Sequence, residues 1–511
     1  MFPLFVILGL MVVIVLILYL ISFHTYWQRR GVCQLTPLPL VGNYQGLGSS
    51  YHFRDVNQQL YNHFKSKGQA FGGIYVFMKR AALMVDLDLI KLILIKDFAN
   101  FPDRGVYNNA AEDPLSAHMI ALEGEEWRCM RHKLTPTFTA SKMKYMFPTV
   151  VKVGERFAKT MAENRGPTGV LELKDLCGRF TTDVIGNAVF GIDSNCLKNP
   201  QEEFRKMGNS VLTDKRHHAV VEQFILTNPA IAKKFHMKLF KDDMTKYFLN
   251  LVQHIMQQRL ENNEKRKDFM DLLLELKAQD EELLKAEGRG IDLSHGLTLE
   301  QITAQLFSFL IAGFESSSTT MAFCLYELAC HQDLQDKLRE EVVNALKENQ
   351  GELSFEAIQA MGYLDQVISE TLRLYAPLSY LARVTKNDYR IANSSHVIEK
   401  GTMVIIPTDA IHRDPEYFPQ PNVFNPDNFE PSVCSQRHSC TFMPFGDGPR
   451  NCIGLRFGKM QTKIGLVSLL RRFRFECCPL TEKPIQIDKG SFFLAAKHGI
   501  QLKVVDLESG F

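Results

Sequence analysis

The sequence predicts a mainly α-helical protein with a small β portion, one large domain behind an N-terminal membrane-crossing helix. Three observations carry this reading. The chain opens on an uncharged run of twenty residues from Leu4 to Phe23. Apolar patterns of helical period fill much of the remaining chain, and short strand-like runs gather towards its end. With 511 residues, 45% of them apolar, it can bury a large core, and a net charge of +2 without a basic arm or zinc-finger spacing argues against nucleic acid.

The opening run, "LFVILGLMVVIVLILYLISF", spans roughly 30 Å as a helix, enough to cross the hydrocarbon of a bilayer. No Lys or Arg precedes it and Gln28-Arg29-Arg30 follows, so the positive-inside bias leaves the bulk of the chain cytosolic. A basic leader and a small-residue cleavage site are both missing, which makes residues 1–23 a signal anchor, expected in the endoplasmic reticulum. The sequon Asn393-Ser394-Ser395 then faces the cytosol and stays unglycosylated. Pro37, Pro39 and Gly42 mark residues 24–45 as a short stiff linker, and 46–511 form the large domain.

Within that domain the mixed-charge stretch 259–290 sets Phe269, Met270, Leu273 and Leu274 on one face of an amphipathic helix. Thr298 to Ala329 reads as one long core helix, and Tyr363 to Tyr375 as another, ended by Ala376-Pro377. Met403–Ile406, Phe473–Glu476 and Ile500–Val505 read as strands. The eleven cysteines form no CxxC pair or even framework, and all but Cys452 are expected to be small buried hydrophobes in a reducing compartment.

Cys452 stands apart, in "FMPFGDGPRNCIGLRFG". It could be a core residue, a disulfide partner, a nucleophile or a metal ligand. Gly446, Gly448 and Gly454 let the backbone approach a bulky flat partner and aim N–H groups at the sulfur, which favours the thiolate a metal needs. Arg450 is placed for a carboxylate on such a partner's rim, Phe445 can shield the sulfur, and this stretch has no histidine to serve as a base.

Phe445, Gly448, Arg450, Cys452 and Gly454 fill the pattern F-x-x-G-x-R-x-C-x-G, which resembles the haem-binding loop of cytochromes P450. The resemblance covers nearly the whole chain. It implies the P450 fold, a haem-thiolate catalytic domain and haem b with Cys452 as axial ligand. Glu370-Thr371-Leu372-Arg373 matches the family's E-x-x-R, whose side chains share a helix face and form a buried network. The network's third member is degraded: Pro426-Asp427-Asn428-Phe429 puts Asn428 where arginine is usual, so it must close by a neutral hydrogen bond or another partner. Trp127 and Arg131 fit W-x-x-x-R, and with Arg383 they look like haem propionate ligands.

Ala312-Gly313-Phe314-Glu315-Ser316 resembles the family's A-G-x-[DE]-T. Glycine within a helix costs about 1 kcal/mol against alanine, and the family's reason is a helix that opens locally over the haem to admit dioxygen. Glu315 and Ser316 would relay protons, with Ser316 lacking the methyl that fixes a threonine rotamer.

The resemblance therefore implies a monooxygenase that inserts one oxygen atom of O2 into small apolar substrates. No dinucleotide fingerprint occurs, so electrons come from another protein, which the family implies to be NADPH–cytochrome P450 reductase, sometimes with cytochrome b5. Arg128, Lys133, Arg456 and Lys459 are candidates for its basic dock. "AGFESSSTT" and "DFMDLLLELK" read like insect members of family six, similar also to vertebrate family three, which are associated with hormones and foreign compounds including insecticides. Substrate contacts are expected from Phe101 to Met119, Phe309 to Ser316, Leu378 to Leu381 and around Phe492 and Phe493. The alternatives are a haem-thiolate isomerase or dehydratase that needs no O2, and a haem-binding protein without turnover.

Overall fold

The structure is a computed structural model, and it describes residues 2–262, 265–286, 297–392 and 394–507. Four helices form its centre: Ala140–Asn164, Leu173–Ile185, Leu299–Cys330 and Leu455–Leu470 pack on one another. The apolar side chains recur on the inner faces, and small residues set the approach where helices cross. A Cβ on Gly465 would lie 2.5 Å from Met321 Sδ and 2.8 Å from Phe180, whose ring stacks on Phe157 at 4.6 Å. The long helix starts where the sequence places its cap, with Thr298 and Gln301 forming a reciprocal capping box. The second predicted helix is observed over Gly362–Leu374. The mixed-charge stretch splits between helices Asp242–Asn262 and Phe269–Ala286, with Phe269, Met270 and Leu273 buried.

Among the described residues nine strands form three small sheets: β1 Phe71–Val76, β2 Lys79–Met84, β3 Val170–Glu172, β4 Leu381–Val384, β5 Tyr389–Arg390, β6 Val397–Ile398, β7 Met403–Ile406, β8 Phe473–Glu476 and β9 Gln501–Asp506. The largest runs β1-β2-β7-β4, with β1–β2 and β4–β7 antiparallel and β2–β7 parallel in the register Ala81↔Met403. The second runs β3-β9-β8, and β5 pairs with β6. Strands therefore do not gather only late in the chain. The hairpin β1–β2 is an early pair, and its two-residue turn carries Phe77 at φ 52°.

Helix Phe2–His24 contains the apolar run, and the stretch Phe5–His24 has mean hydropathy 3.1 with none of it buried against the domain, which fits a membrane anchor. The segment expected as a linker lies on the β1 side of the large sheet. Trp27 is fully buried and its indole N–H donates to Ile74 O at 3.3 Å. Asn393 of the sequon lies outside the described residues.

Candidate functional site

The loop before helix Leu455–Leu470 is built around its glycines. Gly448 has φ +70°, and a Cβ there would lie 1.9 Å from Leu94 O, so only glycine lets the loop pass the π-helical turn Leu92–Lys96. Cys452 N–H donates to Phe445 O at 2.8 Å, closing the turn, while the Phe445 ring packs at the edge of the main core. The Cys452 sulfur remains accessible at the mouth of the helix N-terminus. Burial pushes its thiol up, and the Gly454 N–H with the Arg104 and Arg131 guanidiniums pulls the other way.

All eleven cysteines are free thiols, which removes a disulfide role for Cys452. Among the described residues no three His, Cys, Asp or Glu side chains gather as a metal cage. Of the other ten cysteines only Cys177, Cys196, Cys324 and Cys440 are buried, and Cys129 and Cys434 are exposed. Burial is therefore a weaker rule for these cysteines than the composition suggested.

Four arginines converge near the sulfur. Arg131, on helix Gly124–Leu134, donates to Asn451 O at 3.0 Å and Asn451 Oδ1 at 2.7 Å. Arg104 donates to Arg450 O at 2.7 Å and Ile120 O at 3.2 Å. Arg383, on β4, is buried; its Nη1 reaches only the neighbouring Ala382 O, and its Nε has no partner. Arg450 donates to Pro102 O, Met119 O, Leu122 O and Asp103 Oδ1 at 2.7–3.3 Å, with its guanidinium 3.9 Å above the Trp127 ring. Four of its five N–H groups clamp the 102–122 loop, which leaves one for an outside carboxylate and makes its main work structural.

Burial, then mutual repulsion, pulls Arg383 and Arg450 down to about 9, and burial brings Arg104 to about 10. Asp103 is the acid paired with this cluster. Four guanidiniums with only Asp103 and Glu123 as nearby acids, one of the four with an orphaned buried Nε, form a site for further anions. With a sulfur ligand beside them, the donor set fits a metal macrocycle bearing carboxylates. Neither Arg104 nor Asp103 was expected. They lie on an irregular loop that pairs with β4 through Val384 N–H to Asp103 O, and no periodicity marks them. His118, held nearby, is driven down to about 4 by burial and then by Arg104.

On the long helix, Ala312 is exposed and Ile311, Gly313, Glu315 and Ser316 are half-buried between the buried Leu310 and Ser317, and Ala312 and Ser316, one turn apart, share this more open face. The expected opening at Gly313 is not present. The helix is continuous, and Gly313 is explained by packing, since a Cβ would lie 2.6 Å from Ile185 Cδ1. Its carbonyl accepts Gln461 Nε2 at 2.9 Å. Ser316 Oγ donates to Ala312 O at 2.6 Å, and Glu315 pairs with Lys174 Nζ at 2.9 Å, an ammonium that also reaches Ser318 Oγ. Among the described residues no hydrogen bond joins Glu315 to Ser316.

Glu370 and Arg373 are fully buried and paired through two bonds of 2.7 Å. Asn428 Nδ2 donates to Glu370 Oε1 at 3.1 Å, the neutral closure that its position allowed. Arg373 also donates to His412 O, Pro421 O and Val423 O. Of the four candidate docking cations, Arg128, Lys133 and Lys459 pair with Glu125, Asp280 and Asp365, and Arg456 donates to Phe138 O at 3.4 Å. Their charge is largely offset within the chain.

The family model described as "Cytochrome P450" matches residues 34–504. The chain is 50% identical over 489 residues to "Probable cytochrome P450 6a14" of Drosophila melanogaster, covering 95% of this chain and 96% of the relative. It is 46% identical to "Cytochrome P450 6a2" of the same fly, over 94% of this chain and 95% of that one. "Cytochrome P450 6A1" of Musca domestica is 43% identical, over 96% and 95%.

Proposed function

The chain belongs to the cytochrome P450 family, as a haem b monooxygenase of the insect family-six kind, and we propose that Cys452 is its thiolate ligand. The observation that carries this assignment is the accessible Cys452 sulfur, held by Gly454 N–H beside a cluster of buried, under-neutralised arginines. Arg104, Arg131, Arg383 and the spare N–H of Arg450 would hold the haem carboxylates, with Trp127 stacked beneath Arg450. When bound, haem supplies dioxygen activation and oxygen insertion, chemistry that no side chain can perform.

The chain's own residues bind, orient and deliver protons. Ser316 presents a hydroxyl on the open face of the long helix, and its proton rests on Ala312 O until a better acceptor is offered. Glu315 is placed to replenish that proton from outside, and Lys174 pairs with its carboxylate at the helix flank. The bilayer-length helix at the N-terminus fits an anchor, residues 1–23, with the catalytic domain following on the cytosolic face of the endoplasmic reticulum. Electrons come from NADPH through cytochrome P450 reductase, sometimes with cytochrome b5. Small apolar molecules are the substrates, among them hormones or foreign compounds such as insecticides.

Expression with the reductase tests the reading. Cys452→Ala should abolish the red-shifted Soret band of the ferrous carbonyl complex, and its retention would refute the ligand assignment. A difference-spectrum screen of small apolar compounds should find ones that displace the iron's sixth ligand, and those should be oxidised only with NADPH and reductase. Turnover without either would favour isomerase chemistry.

A further inference from the structure

Away from the haem site, the C-terminal end of the long helix meets β8. Cys330, the last residue of that helix, sets its Sγ 3.5 Å from Sγ of Cys477, which directly follows β8. Both residues are half-buried. The two elements are held in register around them. Gln332 Nε2 donates to Ala329 O at 2.9 Å and Phe475 O at 2.8 Å; Gln335 Nε2 donates to Leu328 O and Phe475 O, both at 2.9 Å, and Gln335 Oε1 accepts Phe475 N–H at 2.9 Å. The thiols therefore face each other across a rigid frame, not on mobile loops. Cys478 is not a competitor, because its Sγ lies 3.8 Å from Gln501 O and takes the Thr481 hydroxyl.

We propose that Cys330 and Cys477 form a reversible disulfide, a redox modification site at the junction of the long helix and β8. The sulfurs need only close by about 1.5 Å, within reach of side-chain rotation. The oxidant is hydrogen peroxide. One sulfur, as thiolate, attacks a peroxide oxygen; the O–O bond breaks, hydroxide leaves and is protonated to water, and a sulfenic acid forms. The second thiol attacks that sulfur, its S–O bond breaks, and a second water leaves. Two thiols have then given two electrons to one peroxide. Burial disfavours the Cys330 thiolate and lifts its pKa to about 12, and the Lys483 ammonium beside both sulfurs offsets part of that cost. Without the oxidant the cytosol keeps both thiols reduced.

The test is peptide mapping of the full-length haem protein after a hydrogen peroxide titration and alkylation with N-ethylmaleimide. The expected result is joint loss of alkylation at Cys330 and Cys477 with a cross-linked peptide pair two hydrogens lighter than its parts, both reversed by dithiothreitol. Exposed Cys129 and Cys434 are internal standards for reagent access. In Cys330→Ser, Cys477 should instead climb to sulfinic acid. Phenylarsine oxide, which bridges two close thiols, should protect the pair in the unmodified protein. The proposal is overturned if Cys330 and Cys477 stay alkylated at doses that oxidise Cys129 and Cys434, or if each is oxidised singly with no cross-link.

Discussion

Ser316 and His412 show how single groups set the behaviour of the site. The Ser316 hydroxyl bonds to its own helix at Ala312 O, and in the proposed relay it would rotate off that carbonyl to offer its proton. Ser316→Ala should leave the carbonyl spectrum intact and cut product formed per NADPH by roughly tenfold to 10²-fold, with peroxide rising in its place. Product and peroxide measured against NADPH consumed check this, and unchanged coupling would move the relay to another hydroxyl. His412 works on stability. Its Nε2 accepts Met443 N–H at 2.9 Å at the start of the cysteine loop, and burial drives it down to about 3. Asp409 opposes that shift, and the Arg373 and Arg413 charges add to it. The unfolded chain's histidine titrates at about 6.5. Its depressed folded value means that stability is full above about pH 6.5 and is lost as pH falls towards 3, since the unfolded state takes up the proton first. His412→Gln should therefore lose stability at pH 7 yet show a denaturant midpoint less steep in pH between 6.5 and 4, by about one proton, or ~1.4 kcal/mol per pH unit. The same slope in both proteins would refute it.

At the scale of elements, the Glu370–Arg373 pair joins helix Gly362–Leu374 to the segment that leads to the cysteine loop. Arg373→Ala would strand a buried carboxylate and three carbonyls, at a cost of about 3–5 kcal/mol. Asn428→Ala removes one neutral donor, with Asn425 N–H still on Glu370 at 2.8 Å, and should cost only about 1 kcal/mol. Urea unfolding of the haem protein measures both, and equal losses would mean that Asn428 does the work of the missing arginine. The elements also show what a sequence makes legible. The long helix, the Gly362–Leu374 helix and β7, β8 and β9 were readable because their apolar periods are clear, and Pro377 marks the end of the second helix. The hairpin β1–β2 was not. All six β1 residues are buried, which erases strand alternation, and its turn uses Phe77-Met78 where an Asn-Gly pair would have signalled it. The site divides in the same way. Cys452, Glu370, Arg373 and Asn428 sit in fixed spacings, whereas Arg104 reaches the cluster from an irregular loop that only tertiary pairing with β4 places.

For the whole molecule, the decisive joint is the one between anchor and domain. Trp27 lies flat on Gly73 of β1, where a Cβ would come within 2.2 Å of the indole, and Gln34 bridges back to His24 O at 2.9 Å. Tyr26 sits between the Arg30 and Arg80 guanidiniums, at 3.8 and 4.1 Å, and both arginines reach Glu399. Phe23, in the last turn of the apolar helix, meets Tyr75 at 5.4 Å. The stretch read as a short stiff linker is thus fastened to the sheet that also carries Arg383. Deleting residues 2–22 should leave the unfolding free energy of the haem domain nearly unchanged, because that part of the apolar helix is not buried in it. Extending the deletion through Trp27, or changing Trp27→Ala, should remove about 3–5 kcal/mol, the usual loss for a buried aromatic. In a Trp127→Phe background the remaining indole reports its own burial, so its fluorescence should shift to the red at the same denaturant concentration at which the domain unfolds. A red-shifted indole in the folded domain, or equal stability of the two deletions, would show the segment lying free, with the tilt of the domain on the membrane set elsewhere.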